Sequence, residues 1–301
     1  MVLSLPAIEP GSILVTGGTG QLASALMDAK GRRPFVRAGR PAFDFDHLAA
    51  VPAFLRAAAP SLIINAAAYT AVDKAESEAA AARRANTDGP RILAEYCAEA
   101  GIPLIQVSTD FVFDGNKGAP YVETDSTHPT SVYGTTKRDG EDAILATDAR
   151  AIILRTSWVY AATGKNFVLT MLNAAKKTNQ LRVVADQHGC PTAAQDLATA
   201  IMRIADRFTT MGWSESWRGI YHAAGSGATT WHGLAIAAFA ESAKFGASIP
   251  IVTPIATADW PTPARRPADS RLDCGKLGRT FGIALPEWRN ALSRTITAVY
   301  T

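Results

Sequence analysis

The chain has 301 residues, 30 Lys+Arg against 27 Asp+Glu for a net charge of +3, and 48% hydrophobic against 19% charged residues. That balance excludes a chain disordered along its length, and the near-neutral charge without a basic run argues against a nucleic-acid partner. Three scattered cysteines, Cys97, Cys190 and Cys274, with no C-x-x-C pair, fit a reducing cytoplasm rather than a disulfide framework or a Cys-based metal site.

The N-terminal stretch MVLSLPAIEPGS has neither the basic start nor the long apolar run of a signal peptide. No later run approaches the roughly 20 apolar residues of a membrane span, so no membrane partner is expected. Ser12–Thr16 is an apolar strand, followed by a Gly-rich turn and a helix, Gln21–Ala29. Pro34–Arg37 reads as a second strand and Leu62–Asn65 as a third. One long helix is expected from about Glu76 to Ala100, then a strand Leu104–Ser108, a helix Ser131–Leu145 and a strand Ala151–Arg155. Unbroken apolar strands separated by helices predict an α/β, Rossmann-type doubly wound parallel sheet.

Beyond Ser157 the rhythm loosens. Helices near Phe167–Lys177, Ala193–Asp206 and Trp231–Ala240, short strands Leu181–Ala185 and Gly219–His222, a Pro-rich stretch Ile249–Pro267 and a helix from about Pro286 follow. The expected layout is a cofactor domain over residues 1–157, completed by about 190–215. A second, smaller α/β substrate lobe would take 158–189 and 216–301.

Thr16–Ala23 (TGGTGQLA) reads G-x-x-G-x-x-A at the first strand–helix junction. Gly17 permits the turn, Gly20 admits a pyrophosphate close to the backbone, and Ala23 is small enough for close packing. Dinucleotide binding is therefore expected at Gly17, Thr19, Gly20, Gln21 and Leu22. The usual ribose-binding acid after the second strand is missing; Arg37 and Arg40 stand there instead, which favours the 2′-phosphate of NADPH over NADH. Asp44 and Phe45 are candidates for the adenine end.

Tyr133 and Lys137 form Y-x-x-x-K, one helical turn apart on one face. A nearby ammonium is expected to lower the Tyr phenol so that it exchanges a proton near neutral pH. Upstream, Thr109 ends the fourth strand, where such sheets carry their chemistry. Together the three make a proton-handling set for hydride transfer at a carbonyl. No His, Cys or acid spacing signals a metal.

The blocks TGGTGQLA, NAAAYTAVDKAESE, STDFVFDG, YGTTK, RTSWVY and ARRPADSRL, spread from Ile13 almost to the C-terminus, resemble the dTDP-4-dehydrorhamnose reductase family of extended short-chain dehydrogenases/reductases. The resemblance implies NADPH- or NADH-dependent reduction of the 4-keto group of dTDP-6-deoxy-L-lyxo-4-hexulose to dTDP-L-rhamnose in the cytoplasm. It implies Thr109, Tyr133 and Lys137 as catalytic residues. Ala66, Ala67, Tyr69, Tyr133 and Lys137 would line the cofactor. Val72, Asp73, Asp110, Trp158 and Asn166 would line the dTDP-sugar, and Arg265, Arg266 and Arg271 could clamp its diphosphate, with Arg265 and Arg271 the favoured pair. Gln195 and a C-terminal tail without carboxylates depart from members thought to dimerise around a cation, so a monomer or weak homodimer is expected.

Two rivals share the fold. A sugar-nucleotide dehydratase or epimerase is one, but Phe111 follows Asp110 where a dehydratase needs a second acid. A non-enzymatic NADP-binding subunit, resembling the regulatory subunit of methionine adenosyltransferase, is the other; the intact Thr109–Tyr133–Lys137 set argues against it.

Overall fold

The computed structural model describes residues 11–29 and 34–301, so the leader reading of MVLSLPAIEPGS falls largely outside the described residues. The main strands are β1 (Ile13–Thr16), β2 (Phe35–Ala38), β3 (Leu62–Asn65), β4 (Pro103–Thr109), β5 (Arg150–Thr156), β6 (Gln180–Val184), β7 (Gly219–His222) and β8 (Ile251–Ile255). The main helices are α1 (Gln21–Ala29), α2 (Val51–Ala58), α3 (Gly89–Ala100), α4 (Val132–Leu145), α5 (Phe167–Ala175), α6 (Ala194–Met211), α7 (Trp231–Ala243), α8 (Gly275–Phe281) and α9 (Trp288–Tyr300).

Six strands form one sheet in the order β7-β5-β4-β3-β1-β2, and every neighbouring pair is parallel. β1 and β3 are buried along their whole length, which explains their unbroken apolar sequence: both faces are covered. Val15, Ile64, Ile105 and Leu154 face α1, α6 and α8 through Leu26, Leu197, Ile201 and Phe281. Leu14, Ile63, Leu104 and Ile153 face the other way, onto Leu55 of α2, Leu93 of α3 and Ile144 of α4. The strand order reverses between β1 and β3, which opens a crevice at their carboxyl ends.

A separate apolar cluster joins Val168 and Leu172 of α5, Val183 of β6, Leu234 and Phe239 of α7, and Leu292 and Ile296 of α9. β6 and β8 pair in parallel beside it, so this smaller body is itself α/β. Two segments expected within it lie elsewhere. Gly219–His222 is the sixth strand of the main sheet, paired with β5, and Leu277 and Phe281 pack into that sheet's core. The chain returns to the first body because an edge strand and an apolar face there remained to be covered. Among the described residues no helix is long and apolar enough to cross a membrane.

The long helix expected from Glu76 to Ala100 is not continuous. A helical turn Ala79–Arg83 passes into a π-turn, Arg84–Asp88, before α3 begins at Gly89-Pro90. The cause is Asn86. Its Oδ1 accepts from the Tyr69 amide at 2.9 Å, while its Nδ2 donates to the Tyr69 carbonyl and to Thr136 Oγ1. Widening the helix by one residue delivers that amide to the crevice, and π-turns of this kind recur at functional sites.

Beneath the crevice Glu141 of α4 and Arg155 of β5 form a fully buried ion pair, with Arg155 Nη2 2.6 Å from Glu141 Oε2 and Nε bonded to both oxygens. Ser108 donates to the same carboxylate, tying β4, β5 and α4 together. Glu141→Leu should therefore destabilise the protein by about 3–5 kcal/mol in urea unfolding, because Arg155 is left charged and unpaired in the core. A loss under about 1 kcal/mol would mean that the pair is not a structural tie.

Candidate active site

β4 runs past the end of β3: the β3–β4 register stops at Asn65↔Gln106, whereas β4 pairs with β5 as far as Thr109↔Thr156. Val107, Ser108 and Thr109 thus form an overhang. Buried backbone polar groups there still need partners. The Val107 carbonyl accepts from Gln106 Nε2 at 2.7 Å and from Lys137 Nζ at 2.7 Å. Gln106 Oε1 accepts from Asn65 Nδ2 at 2.7 Å, and Asn65 Oδ1 accepts from the Thr16 hydroxyl. One chain of side chains so links β1, beside the glycine turn, with Lys137.

Tyr133 lies one turn before Lys137 on α4. The Ser131 hydroxyl caps that helix by accepting from the Gly134 amide. Gly134 is required here, since a Cβ would stand 2.2 Å from the Phe111 carbonyl oxygen. Removing that side chain brings α4 against the turn after Thr109, and Tyr133 meets Phe111 edge to face. Burial pushes the Tyr133 phenol up to about 12; the facing Thr109 hydroxyl opposes this and the charge of Asp110 adds to it. Burial also draws Lys137 down to about 8, against the pull of Glu141. The expected lowering of the Tyr phenol is thus reversed. The Lys137 ammonium is spent on the Val107 carbonyl, and desolvation of the phenolate dominates.

Thr109 ends β4. Its hydroxyl donates to Asp110 Oδ1 at 3.1 Å and accepts from the Phe111 amide at 3.2 Å. Asp110 was expected at the substrate, yet it is 2% exposed and Ser157 donates to its other oxygen at 3.0 Å. It holds protein hydroxyls instead. Burial pushes its carboxyl up to about 6 despite hydrogen bonds from Ser270, Ser157 and Thr109.

The glycine turn opens the crevice on the other side. Gly17 has φ +106°, and a Cβ there would meet the Ala66 carbonyl oxygen at 2.9 Å. The backbone at Gly18 and Gly39 is equally close, leaving 2.5 Å for a Cβ on Gly39. Thr19 and Gly20 are exposed at the α1 N-terminus, and Ala66, Ala67 and Tyr69 follow β3 across the gap. Leu22 is instead a core residue, and Gln21 reaches across to accept from Asn166 Nδ2 at 2.8 Å. Asn166 also caps α5, so it joins the glycine turn to the smaller body.

Arg40 is exposed and ion-paired with Asp44 at 2.8 Å and Asp46 at 2.6 Å. Asp44 caps the turn that follows it. The Phe45 ring does not face the crevice; it is buried against Phe43 and beneath Gly89, where a Cβ would collide with it.

Asp73, from the short helix Val72–Ala75, accepts both prongs of Arg266 at 2.9 Å across the cleft, and this guanidinium holds its carboxyl below the ordinary range. Arg271 forks onto Asp269 at 2.8 and 2.6 Å. Arg265 is exposed and makes no ion pair among the described residues. The three arginines therefore do not converge on one point.

Trp158 has φ +48°, rare for a non-glycine residue. Its indole stacks on Trp231 at 3.5 Å, and Gly189 makes room beneath it. Trp231 donates to Gln187 at 3.1 Å and, with Phe167, Trp260, Asp73 and Arg266, lines a cavity of about 370 Å³. Among the described residues no three His, Cys, Asp or Glu side chains gather as a metal site. Asn86, Ser157, Ser270, Trp231 and Trp260 stand around the cleft beyond the residues expected there. Asn86 alone carried a local signal, an amide residue in the interior of an expected helix.

Known proteins bear on this architecture directly. A family model described as the RmlD substrate binding domain matches residues 11–301. A curated dTDP-4-dehydrorhamnose reductase of Sinorhizobium fredii is 47% identical over 288 residues, 95% of this chain and 97% of that protein. That of Escherichia coli K12 is 40% identical over 86% of each. Among solved structures, the Clostridium acetobutylicum dTDP-4-dehydrorhamnose reductase superposes with a TM-score of 0.89 at 34% identity, over 96% of this chain and all of that one. The Bacillus anthracis enzyme in complex with NADP gives 0.88 at 29% identity, over 96% and 99%. Matched along nearly its whole length by this family model and by these reductases, the chain belongs to the dTDP-4-dehydrorhamnose reductase family.

Proposed function

We propose that the protein reduces the 4-keto group of dTDP-6-deoxy-L-lyxo-4-hexulose to dTDP-L-rhamnose with NADPH, using Tyr133 as the proton donor. The observation that carries this is the Tyr133 phenol against the Thr109 hydroxyl at the strand ends, across from the glycine turn that opens α1. The crevice suits a dinucleotide: Gly17 and Gly39 let the glycine turn pack directly on the backbone after β3 and β2, and α1 starts at that turn with its N-terminus toward the gap. Gly17, Thr19, Gly20, Ala66, Ala67 and Tyr69 would hold the cofactor, with Gln21 as the tie to Asn166. Arg40 would turn from Asp44 and Asp46 to a 2′-phosphate.

When bound, NADPH supplies the hydride for the sugar C4. Tyr133 supplies the proton: a phenol near 12 keeps it at neutral pH and yields it to an alkoxide, a stronger base. Lys137, still mostly charged at neutral pH, offsets the negative charge left behind. Thr109 hydrogen-bonds the same oxygen from β4. The Trp158–Trp231 stack gives the sugar an apolar wall. Val72 and Asp73 flank it, and Arg265, with Arg271 once released by Asp269, suits the diphosphate. The substrate lobe in this reading is 158–189 with 216–301, less Gly219–His222 and Gly275–Phe281, which belong with the cofactor body.

Purified protein should oxidise NADPH when given the 4-keto-6-deoxy sugar nucleotide, generated by the preceding epimerase. Tyr133→Phe should lower kcat by about 10³-fold while NADPH still quenches tryptophan fluorescence with unchanged affinity. Turnover near the wild-type level would reject Tyr133 as the donor.

The pH profile has a defined sign. The Lys137 cation is present below about 8 and lost above it, so kcat/KM should fall through a single proton step near pH 8. Lys137→Met should abolish that limb; persistence of the limb would assign it to another group.

Arg40→Ala should lower the NADPH/NADH ratio of kcat/KM by about tenfold, the worth of a charge-assisted hydrogen bond. An unchanged ratio would place cofactor discrimination elsewhere.

A further inference from the structure

Arg84 opens the π-turn Arg84–Asp88 and has no task in the reaction above, yet its guanidinium meets that of Arg40 on one carboxylate. Arg84 Nη2 lies 3.1 Å from Asp46 Oδ1, and Arg40 Nη2 lies 2.6 Å from Asp46 Oδ2. The Asp46 side chain is 42% exposed, so an anion from solvent can reach the point where the two forks meet. Exposed ion pairs add little to stability, and two guanidinium groups drawn to one point repel each other. Stability alone therefore explains the arrangement poorly. A phosphate answers it better, because it carries more charge and offers three oxygens to two planar forks.

Separate elements bring the two arginines together. Arg40 follows Gly39, which packs so closely on the glycine turn that a Cβ there would stand 2.5 Å from the Gly18 Cα. Arg84 is held by the π-turn, whose Asn86 is bonded to both the amide and the carbonyl of Tyr69. Asp46 belongs to the short turn Phe45–Ala50, which Asp44 anchors by accepting from the Asp46 amide at 3.0 Å while it binds Arg40 Nε at 2.8 Å. The forks thus converge just past the end of β2, beside its backbone contact with the glycine turn. In a crevice of this type the adenosine ribose lies there.

We propose that Arg84 is a second determinant of cofactor choice, which binds the 2′-phosphate of NADPH together with Arg40 at the point that the Asp46 carboxylate occupies. This rests on the reading of the crevice as an NADPH site, and not on the identity of the sugar. Asp46 is then an internal competitor: it keeps the two forks aligned and yields them to the phosphate. NADH brings no such anion and leaves Asp46 on the arginines. An acid that reads a ribose hydroxyl stands at the end of β2 itself, whereas both Asp46 oxygens are taken by arginines.

Calorimetric titration with NADPH and with NADH, in the absence of sugar, reads this apart from turnover. The ratio of the NADH Kd to the NADPH Kd should fall about tenfold in Arg84→Ala, the worth of a charge-assisted hydrogen bond. Arg84→Lys should recover only part of that loss, since an ammonium does not fork onto two oxygens. Asp46→Asn should move the ratio the other way, upward by severalfold, because the competing charge is gone. In displacement of NADPH, 2′-AMP should outcompete 5′-AMP on the wild-type protein, and Arg84→Ala should shrink that advantage. Thermal unfolding of each variant checks that it is folded, as expected for half-exposed pairs. A ratio unchanged in Arg84→Ala, or one that falls in Asp46→Asn, would overturn the two-arginine site and leave discrimination to Arg40. Equal affinity of the wild-type protein for both cofactors overturns it too, with the reductase reading still standing. A protein that binds neither dinucleotide refutes the crevice reading on which both depend.

Discussion

The overhang of β4 beyond β3 is the constraint on which the site depends. A parallel sheet satisfies its backbone by ladder bonds, and three residues without a neighbour on one side must find other partners while staying buried. The Val107 carbonyl takes Lys137 and Gln106, while the overhang carries the side-chain hydroxyls of Ser108 to the Glu141–Arg155 pair and of Thr109 to Asp110. Each solution draws α4 or a distant loop toward the same strand end. The crevice is thus lined by polar groups that the overhang carries beyond its neighbour, and their chemistry follows from their burial.

Burial sets the protonation states. Far from water, a phenolate and an ammonium are both penalised, so Tyr133 moves up and Lys137 moves down. A simple reading of the Y-x-x-x-K spacing puts the ammonium beside the phenol and lowers it. In the folded chain the ammonium has a closer partner in a carbonyl. The phenol therefore keeps its proton at neutral pH.

The two bodies are joined across the cleft by polar ties between residues far apart in sequence. Gln21 meets Asn166, Asp73 meets Arg266, and Asp110 meets Ser270. Such ties are individually weak when half-exposed. Arg40, Arg266 and Arg271 are all engaged by carboxylates.

The sequence by itself determined the parallel sheet, the glycine turn at the first strand end and the helix that carries Tyr133 and Lys137. These rest on local rules: apolar runs bury on both faces, glycine alone allows φ +106° against a carbonyl, and four residues make one helical turn. Tertiary structure decided the rest. Asn86 opens a π-turn because its amide bonds to Tyr69, seventeen positions away. Phe45 is core because Gly89 leaves room for its ring. β7 and α8 rejoin the first body because its sheet offered an open edge and an uncovered face. The direction of the Tyr133 shift and the pairing of each arginine depend on which groups fold brings within hydrogen-bond reach and on how much water it removes, and neither quantity is written in residue spacing.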